Sequence, residues 1–233
     1  MCTVTYIWSE GKAIITSNRD EHVDRPASLL PQPYVMNGKK VIFPKDPKAG
    51  GTWIVVDEES NAGVLLNGAA TRHIRTGSYS RSRGLVLLDI FTGTSPLTSW
   101  DSYDLGNIEP FTIVLFHQGK LYQLRWDFAK KETLRLNPEE NHIWSSSTLY
   151  NAETQHARQE WLANFLKDKG PVQAEDMKHF HTHAGNGNDE NGLIINRNDM
   201  MKTFSITQAV IEQGRAELFH SDLSEENSVL THL

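Results

Sequence analysis

Polar and apolar residues alternate through residues 3–8, and the alternation assigns Cys2, Val4, Tyr6 and Trp8 to one face of a strand. Glu10-Gly11 reads as a turn and Lys12–Ser17 as a second strand, so the chain opens on a hairpin. Residues 22–50 carry Pro26, Pro31, Pro33, Pro44 and Pro47, which predicts mostly loop. Strands are expected over Trp53–Asp57 and Gly63–Leu66. The period then lengthens. From Ser82 to Phe91, Leu85, Leu88 and Phe91 share one helical face, with Gly93 just beyond. Phe111–His117 and Lys120–Trp126 form a hairpin around Gln118-Gly119.

After residue 150 helical patterns dominate. Asn151 can cap a helix whose Ala157, Trp161, Leu162, Phe165 and Leu166 form a stripe, ended by Gly170-Pro171. A shorter helix is expected over Gln173–Phe180. A last strand pair, Thr203–Ile211 with Arg215–Phe219, turns at Gln213-Gly214. Sequential hairpins with helices in two groups predict an α+β protein with antiparallel sheet, not a doubly wound parallel one.

Composition narrows this picture. The 233 residues suit one large domain or two small ones and can bury a substantial core. A formal net charge of -6 argues against nucleic acid as a general partner. The single cysteine, Cys2, rules out an intramolecular disulfide and a Cys-rich zinc site, and fits a reducing compartment. No basic segment followed by an apolar one marks a signal peptide. The longest apolar runs, Leu85–Leu88 and Ile113–Phe116, are too short for a bilayer, so no membrane insertion and a cytoplasmic location are expected.

Cys2 offers chemistry of its own. Methionine aminopeptidase removes Met1 when a small residue follows, and cysteine qualifies. The new terminus would carry a thiol and an α-amine, titrating near ~8.5 and ~7.7–8.0. The amine can then act as general base while the sulfur attacks a carbonyl. A guanidinium nearby would favour the thiolate. Pairing of the first two strands brings residue 19 back toward residue 2, which makes Arg19 the nearest candidate.

Met1-Cys2, Ser17-Asn18-Arg19-Asp20-Glu21, Arg25-Pro26 and Gly50-Gly51-Thr52-Trp53 occur here in that order. Ser82-Arg83-Gly84 and Ser147-Thr148-Leu149-Tyr150-Asn151 follow. This ordered set resembles the NRDE family, also called the transport and Golgi organisation protein 2 family. The resemblance runs over nearly the whole chain. It implies a single domain over residues 1–233 with an Ntn-hydrolase-like, four-layer αββα sandwich of two antiparallel sheets.

That family in turn resembles the choloylglycine hydrolase and penicillin V acylase group, which cleaves linear amides with an N-terminal cysteine. The resemblance implies Cys2 as nucleophile and Asn67, at a strand end, as part of an oxyanion hole. Asn18, Arg19 and Asp20 complete the catalytic candidates, and Arg25, Arg83 and Ser147 are the candidates for substrate binding. In the hydrolases the arginine and aspartate stand three residues apart; here they are adjacent. Neighbours on an extended strand face opposite sides. Arg19 at the thiolate with Asp20 near the α-amine, and Asn18 with Asp20, both stay open. Ser146, Ser147 or Thr148 occupies the place of a later hydrolase asparagine, and Arg197 that of a final arginine.

The expected partner is a small-molecule amide, acyl or haem-like ligand, with no cofactor and no metal. The family's links to secretion, lipid metabolism and haem handling raise an alternative: a non-catalytic carrier binding haem, an acyl chain or acyl-CoA in the same cleft. Arg72, His73, Arg75, Arg81 and Arg83 cluster around a predicted helix start, either as an anion clamp or as a solvated basic loop. His179, His181 and His183 would share a face on a strand, as metal ligands do, but fan apart on the expected helix.

Overall fold

The computed structural model describes residues 3–75 and 77–233. Two seven-stranded antiparallel sheets stack face to face. The first holds β1 (Thr3–Ser9), β2 (Lys12–His22), β10 (His142–Ser145), β11 (Asn196–Arg197), β12 (Met201–Glu212), β13 (Arg215–Asp222) and β14 (Asn227–His232). Its order is β10-β1-β2-β12-β13-β14, with β11 on β12. The second runs in chain order from β3 (Leu29–Met36) and β4 (Lys39–Lys45) through β5 (Ile54–Asp57) and β6 (Ala62–Asn67). It ends with β7 (Phe111–His117), β8 (Lys120–Trp126) and β9 (Lys131–Leu136).

Period-2 alternation divides each strand between two cores. Val4, Tyr6, Ala13 and Ile15 of the first sheet meet Ile54, Val56, Val64 and Leu66 of the second. The opposite faces are covered by helices. α1 (Arg83–Phe91) and α2 (Pro96–Ser102) cover the second sheet, with Val86, Leu87, Ile90 and Phe91 against Val55, Leu65, Ile113 and Leu115. α3 (Ala152–Leu166) and α4 (Ala174–His183) cover the first, with Leu162, Met177 and Phe180 against Ile7 and Ile14. The layers are therefore αββα. Central strands such as β7 are buried at every position, which is why they read as unbroken apolar runs.

The cap expected at Asn151 forms, and Ser82, read as the first residue of a helix, instead caps it. The Ser82 hydroxyl accepts from the Leu85 N–H, and Asn151 Oδ1 from the Thr154 N–H at 2.9 Å. Residues 22–50 are the exception, since two strands lie where proline density predicts loop. β3 is an edge strand paired only with β4, so Pro31 and Pro33 can sit in it without breaking a central ladder. In β4, Pro44 lies past the two residues, Val41 and Ile42, that pair with β5. Among the described residues no helix is long and apolar enough to cross a membrane.

Candidate active site

β2 stays extended to His22, so its consecutive side chains go to opposite layers. Arg19 turns into the space between the sheets. It is 1% exposed, yet lines a cleft of about 400 Å³ at one end of the sandwich. Its Nη2 donates to Asp46 Oδ2 at 3.0 Å, and its guanidinium carbon lies 4.8 Å from the Trp53 ring centroid. Asp46 is held in turn by its own loop, because Oδ1 accepts the N–H groups of Lys48 and Ala49. Arg19 Nε and Nη1 have no partner among the described residues.

Other unpaired polar atoms gather on this side. Ser205 lies opposite Arg19 across the β2–β12 ladder, and Ser17 two residues back on β2. Both hydroxyls and Trp53 Nε1 are buried without partners among the described residues. His220 on β13 also faces the inter-sheet space, with Thr207 Oγ1 2.8 Å from its Nδ1. Burial, together with the Arg19 charge, lowers its pKa to about 4. It therefore stays neutral at pH 7.

Asn67 ends β6 on the opposite sheet and lines the same cleft. Its backbone carbonyl accepts from Ser146 Oγ at 2.7 Å, whereas its side-chain Oδ1 is buried and unpartnered among the described residues. The cleft floor depends on two glycines. A Cβ on Gly51 would sit 2.4 Å from the backbone carbon of Gly84, and one on Gly84 would sit 2.7 Å from the Thr52 carbonyl oxygen. This close approach seats the first turn of α1 against the strand entry at Trp53, and explains why the two glycine motifs occur together.

Arginine and carboxylate alternate around the cleft. Arg25 lies 3.6 Å from Asp46 and 3.9 Å from Glu21. Arg83 pairs with Glu109 at 3.1 Å and donates to the Pro110 carbonyl; burial lowers its pKa to about 10, so it remains a cation. Glu109 also takes His73 at 3.2 Å and Arg75 at 3.6 Å, while Arg81 grips Asp89 with two bonds. The basic cluster is thus largely matched by acids that sequence reading did not single out.

Asn18 and Asp20 lie on the other face of β2, under α3 and α4. Asn18 Nδ2 donates to the carbonyls of His181 (3.0 Å) and Leu193 (2.7 Å), and its Oδ1 meets His181 Nδ1 at 2.6 Å. Asp20 accepts from Tyr150 Oη and from Thr203 Oγ1, both at 2.7 Å. Burial and the Asp20 charge raise the Tyr150 pKa, so this phenol remains a donor. A β-bulge in β12 between Thr203 and Ser205 lets Thr203 face Asp20 while Ser205 faces Arg19.

Arg158 of α3 completes this layer, fully buried against the Tyr150 ring at 3.6 Å. It donates to Thr3 Oγ1, to Ser145 Oγ and to the carbonyls of Asn191 and Gly192. Its sequence signal was its place on the 154/158/162 row that α3 buries.

Arg19, Arg25, Asn67 and Arg83 thus share one cleft, and Asn18 and Asp20 do not line it. Ser147 lies beyond Asn67, with its hydroxyl donating to the Thr71 carbonyl at 3.2 Å. Met1 and Cys2 lie outside the described residues. Arg197 bonds the Glu190 carbonyl at 2.8 Å and lines a separate pocket with Tyr150. The three histidines lie on α4: His181 is buried against Asn18 and Thr5, while His179 and His183 stack on each other at 4.2 Å.

Two antiparallel sheets between helical layers form an Ntn-hydrolase-like fold, and comparison with solved structures agrees on the fold. The Caenorhabditis elegans ortholog of N-acylethanolamine-hydrolyzing acid amidase superposes with a TM-score of 0.59 at 12% identity, covering 89% of this chain and 92% of its own. A mutant conjugated bile acid hydrolase from Clostridium perfringens superposes with a TM-score of 0.51 at 12% identity, covering 100% of this chain and 96% of its own. The sequence profile of the Transport and Golgi organisation 2 family matches residues 1–180, and the chain belongs to that family. A search of curated proteins finds no match.

Proposed function

We propose that this protein is a cysteine N-terminal-nucleophile hydrolase acting on a linear amide or related acyl bond, with Cys2 as nucleophile once Met1 is removed. The observation that carries the reading is the set of unpaired donors at the end of β1. Thr3, at the start of β1, opposes Asn18, the residue before Arg19 on β2. Arg19 keeps Nε and Nη1 without partners among the described residues, as do the buried Ser17 and Ser205 hydroxyls and Trp53 Nε1 on the same face. A buried donor left unpaired is costly, and a thiolate or a substrate oxygen would relieve it.

In this reading Arg19 favours the thiolate. The α-amine takes the thiol proton as the sulfur adds to the substrate carbonyl. The Asn67 amide donates to the tetrahedral oxyanion; losing such a donor typically costs about 3–4 kcal/mol. Collapse passes the proton from the ammonium to the leaving amine and leaves a thioester on Cys2. The same amine then deprotonates a water, which adds to the thioester and releases the acid. Arg25 and Arg83 bind the substrate at the cleft wall, and Ser147 does so beyond Asn67. Asn18 and Asp20 hold β2 in place from the other face, since their side chains are committed to α4, Tyr150 and Thr203.

The test combines intact mass with trapping. An acyl electrophile should label Cys2 in a chain that has lost Met1, and Cys2→Ala should abolish turnover of an amide library. Retention of Met1 in the active form, or labelling elsewhere, would sink the mechanism. No turnover by the native chain, with haem or acyl-CoA affinity preserved in Cys2→Ala, would make the cleft a carrier site.

A further inference from the structure

The three histidines of α4 divide between its two faces. His181 points inward and is buried, with its Nδ1 2.6 Å from Asn18 Oδ1 and its carbonyl accepting from Asn18 Nδ2 at 3.0 Å. His179 and His183 are exposed. They stand four residues apart, the spacing that returns a helix to the same face. Their rings stack at 4.2 Å between centroids, 19° from parallel.

A backbone bond orients one of the pair. His183 Nδ1 lies 3.0 Å from the His179 carbonyl oxygen. A carbonyl only accepts, so Nδ1 carries the proton and donates. In the neutral ring Nε2 is then the bare nitrogen. Metal sites hold their histidines in this way, with the other ring N–H on a carbonyl or carboxylate. Two histidines four residues apart on one helix face also have the spacing of known metal-ligating pairs. Asp176, one turn before His179, is already engaged: Oδ1 pairs with Lys169 at 2.7 Å and Oδ2 accepts the Gln173 N–H at 2.9 Å. Among the described residues no group of three or more histidine, cysteine, aspartate or glutamate side chains could hold a metal ion. Water must therefore complete the coordination of this pair. A site of two imidazoles and water ranks Cu2+ above Ni2+ and Zn2+.

We propose that His179 and His183 form a surface site for a divalent transition metal, Cu2+ before Ni2+ or Zn2+, and that the metal clamps the last turn of α4. His181 lies between the two ligands in sequence, so the clamped turn is the one that holds Asn18 of β2. An unfolded chain loses the helical spacing of the two imidazoles and binds more weakly. The metal therefore stabilises the folded form by mass action. The site stands on the helix side of β2, apart from the cleft, and does not depend on the hydrolase reading.

The test uses full-length Cys2→Ala, which removes a thiol that would itself take the metal. Calorimetry with CuCl2 in a non-chelating buffer at neutral pH should show one strong equivalent per chain. The electron paramagnetic resonance spectrum of that species should show coupling to two imidazole nitrogens, and the thermal midpoint should rise. His179→Ala and His183→Ala should each weaken binding at least roughly tenfold and abolish the rise, with circular dichroism confirming the fold of each variant. His156→Ala, which removes an exposed histidine of α3, should change neither. ZnCl2 should bind more weakly, with the same dependence on both histidines. Affinity that survives either α4 substitution, a spectrum unchanged when both histidines are replaced, or half an equivalent per chain would overturn the site. Binding with no rise in the midpoint would overturn the clamp.

Discussion

The two faces of β2 are chemically unlike, although their residues are neighbours in sequence. On the helix side, Asn18 and Asp20 have their polar atoms engaged by His181, Leu193, Tyr150 and Thr203, and Arg158 ties Thr3 into the same layer. On the inter-sheet side, Arg19, Ser17, Ser205 and Trp53 all keep buried polar atoms without partners among the described residues. A complete network rigidifies a layer, whereas an incomplete one lowers stability unless something else supplies the missing bonds. The helix side therefore reads as support and the inter-sheet side as the working surface.

The largest effect that could break this contrast lies on the supporting face. Asp20→Val would strand the Tyr150 hydroxyl and leave Thr203 Oγ1 only the longer bond to the Leu193 carbonyl at 3.3 Å, and should cost about 3–5 kcal/mol in urea unfolding. Arg19→Met should cost less than about 2 kcal/mol, because Asp46 keeps two backbone N–H bonds and Arg25. The same variant should slow acyl labelling of Cys2 by more than roughly tenfold. Equal stability losses for the two substitutions would erase the distinction.

Acid tests both faces together. Burial lowers His181, on the helix side, to about 3, and His220, on the inter-sheet side, to about 4. Both are depressed below the unfolded value, so their contribution is complete above pH ~6.5. It falls as the pH drops toward the folded values, while only the unfolded chain takes up protons. Between pH 7 and pH 5 each should remove about 2 kcal/mol from the unfolding free energy. Chemical denaturation at the two pH values checks this, and a flat profile contradicts it.

Gly84→Ala probes the cleft floor. Its Cβ would meet the Thr52 carbonyl oxygen at 2.7 Å, so α1 must retreat from β5. A loss of about 1–3 kcal/mol is expected, read as a lower thermal midpoint, together with slower Cys2 labelling. The smallest effect is electrostatic. The Arg19 charge helps to hold the His220 pKa down, so Arg19→Met should raise it in an NMR titration and leave His181 unmoved. Movement of both histidines would mean that the two faces are coupled.

Much of the fold was legible because local rules and packing agreed. The β1–β2 hairpin, the Asn151 cap and the β7–β8 hairpin need only alternation, turn residues and a capping oxygen. β3 and β4 were hidden by their prolines, since a sequence does not announce which strand is an edge. In the candidate site, Arg19 and Arg83 stood out, but their acidic partners did not. Asp46 and Glu109 are isolated acids whose role depends on meeting Arg19 and Arg83 from other segments.

The order of chemical types along the chain was enough to set the strand and helix periods, the caps and the opposite facing of Arg19 and Asp20. These depend on contacts within a few residues, or on a period of two along an extended strand. Which face of β2 is finished and which is open was decided by long-range partners. Tyr150, Arg158 and Thr203 arrive at one face from 130 to 183 residues away, and Asp46 and Trp53 reach the other from the second sheet and its loop. Hydrogen bonding is short-ranged, so the meaning of each side chain waited on the packing that brought its neighbours within about 3 Å.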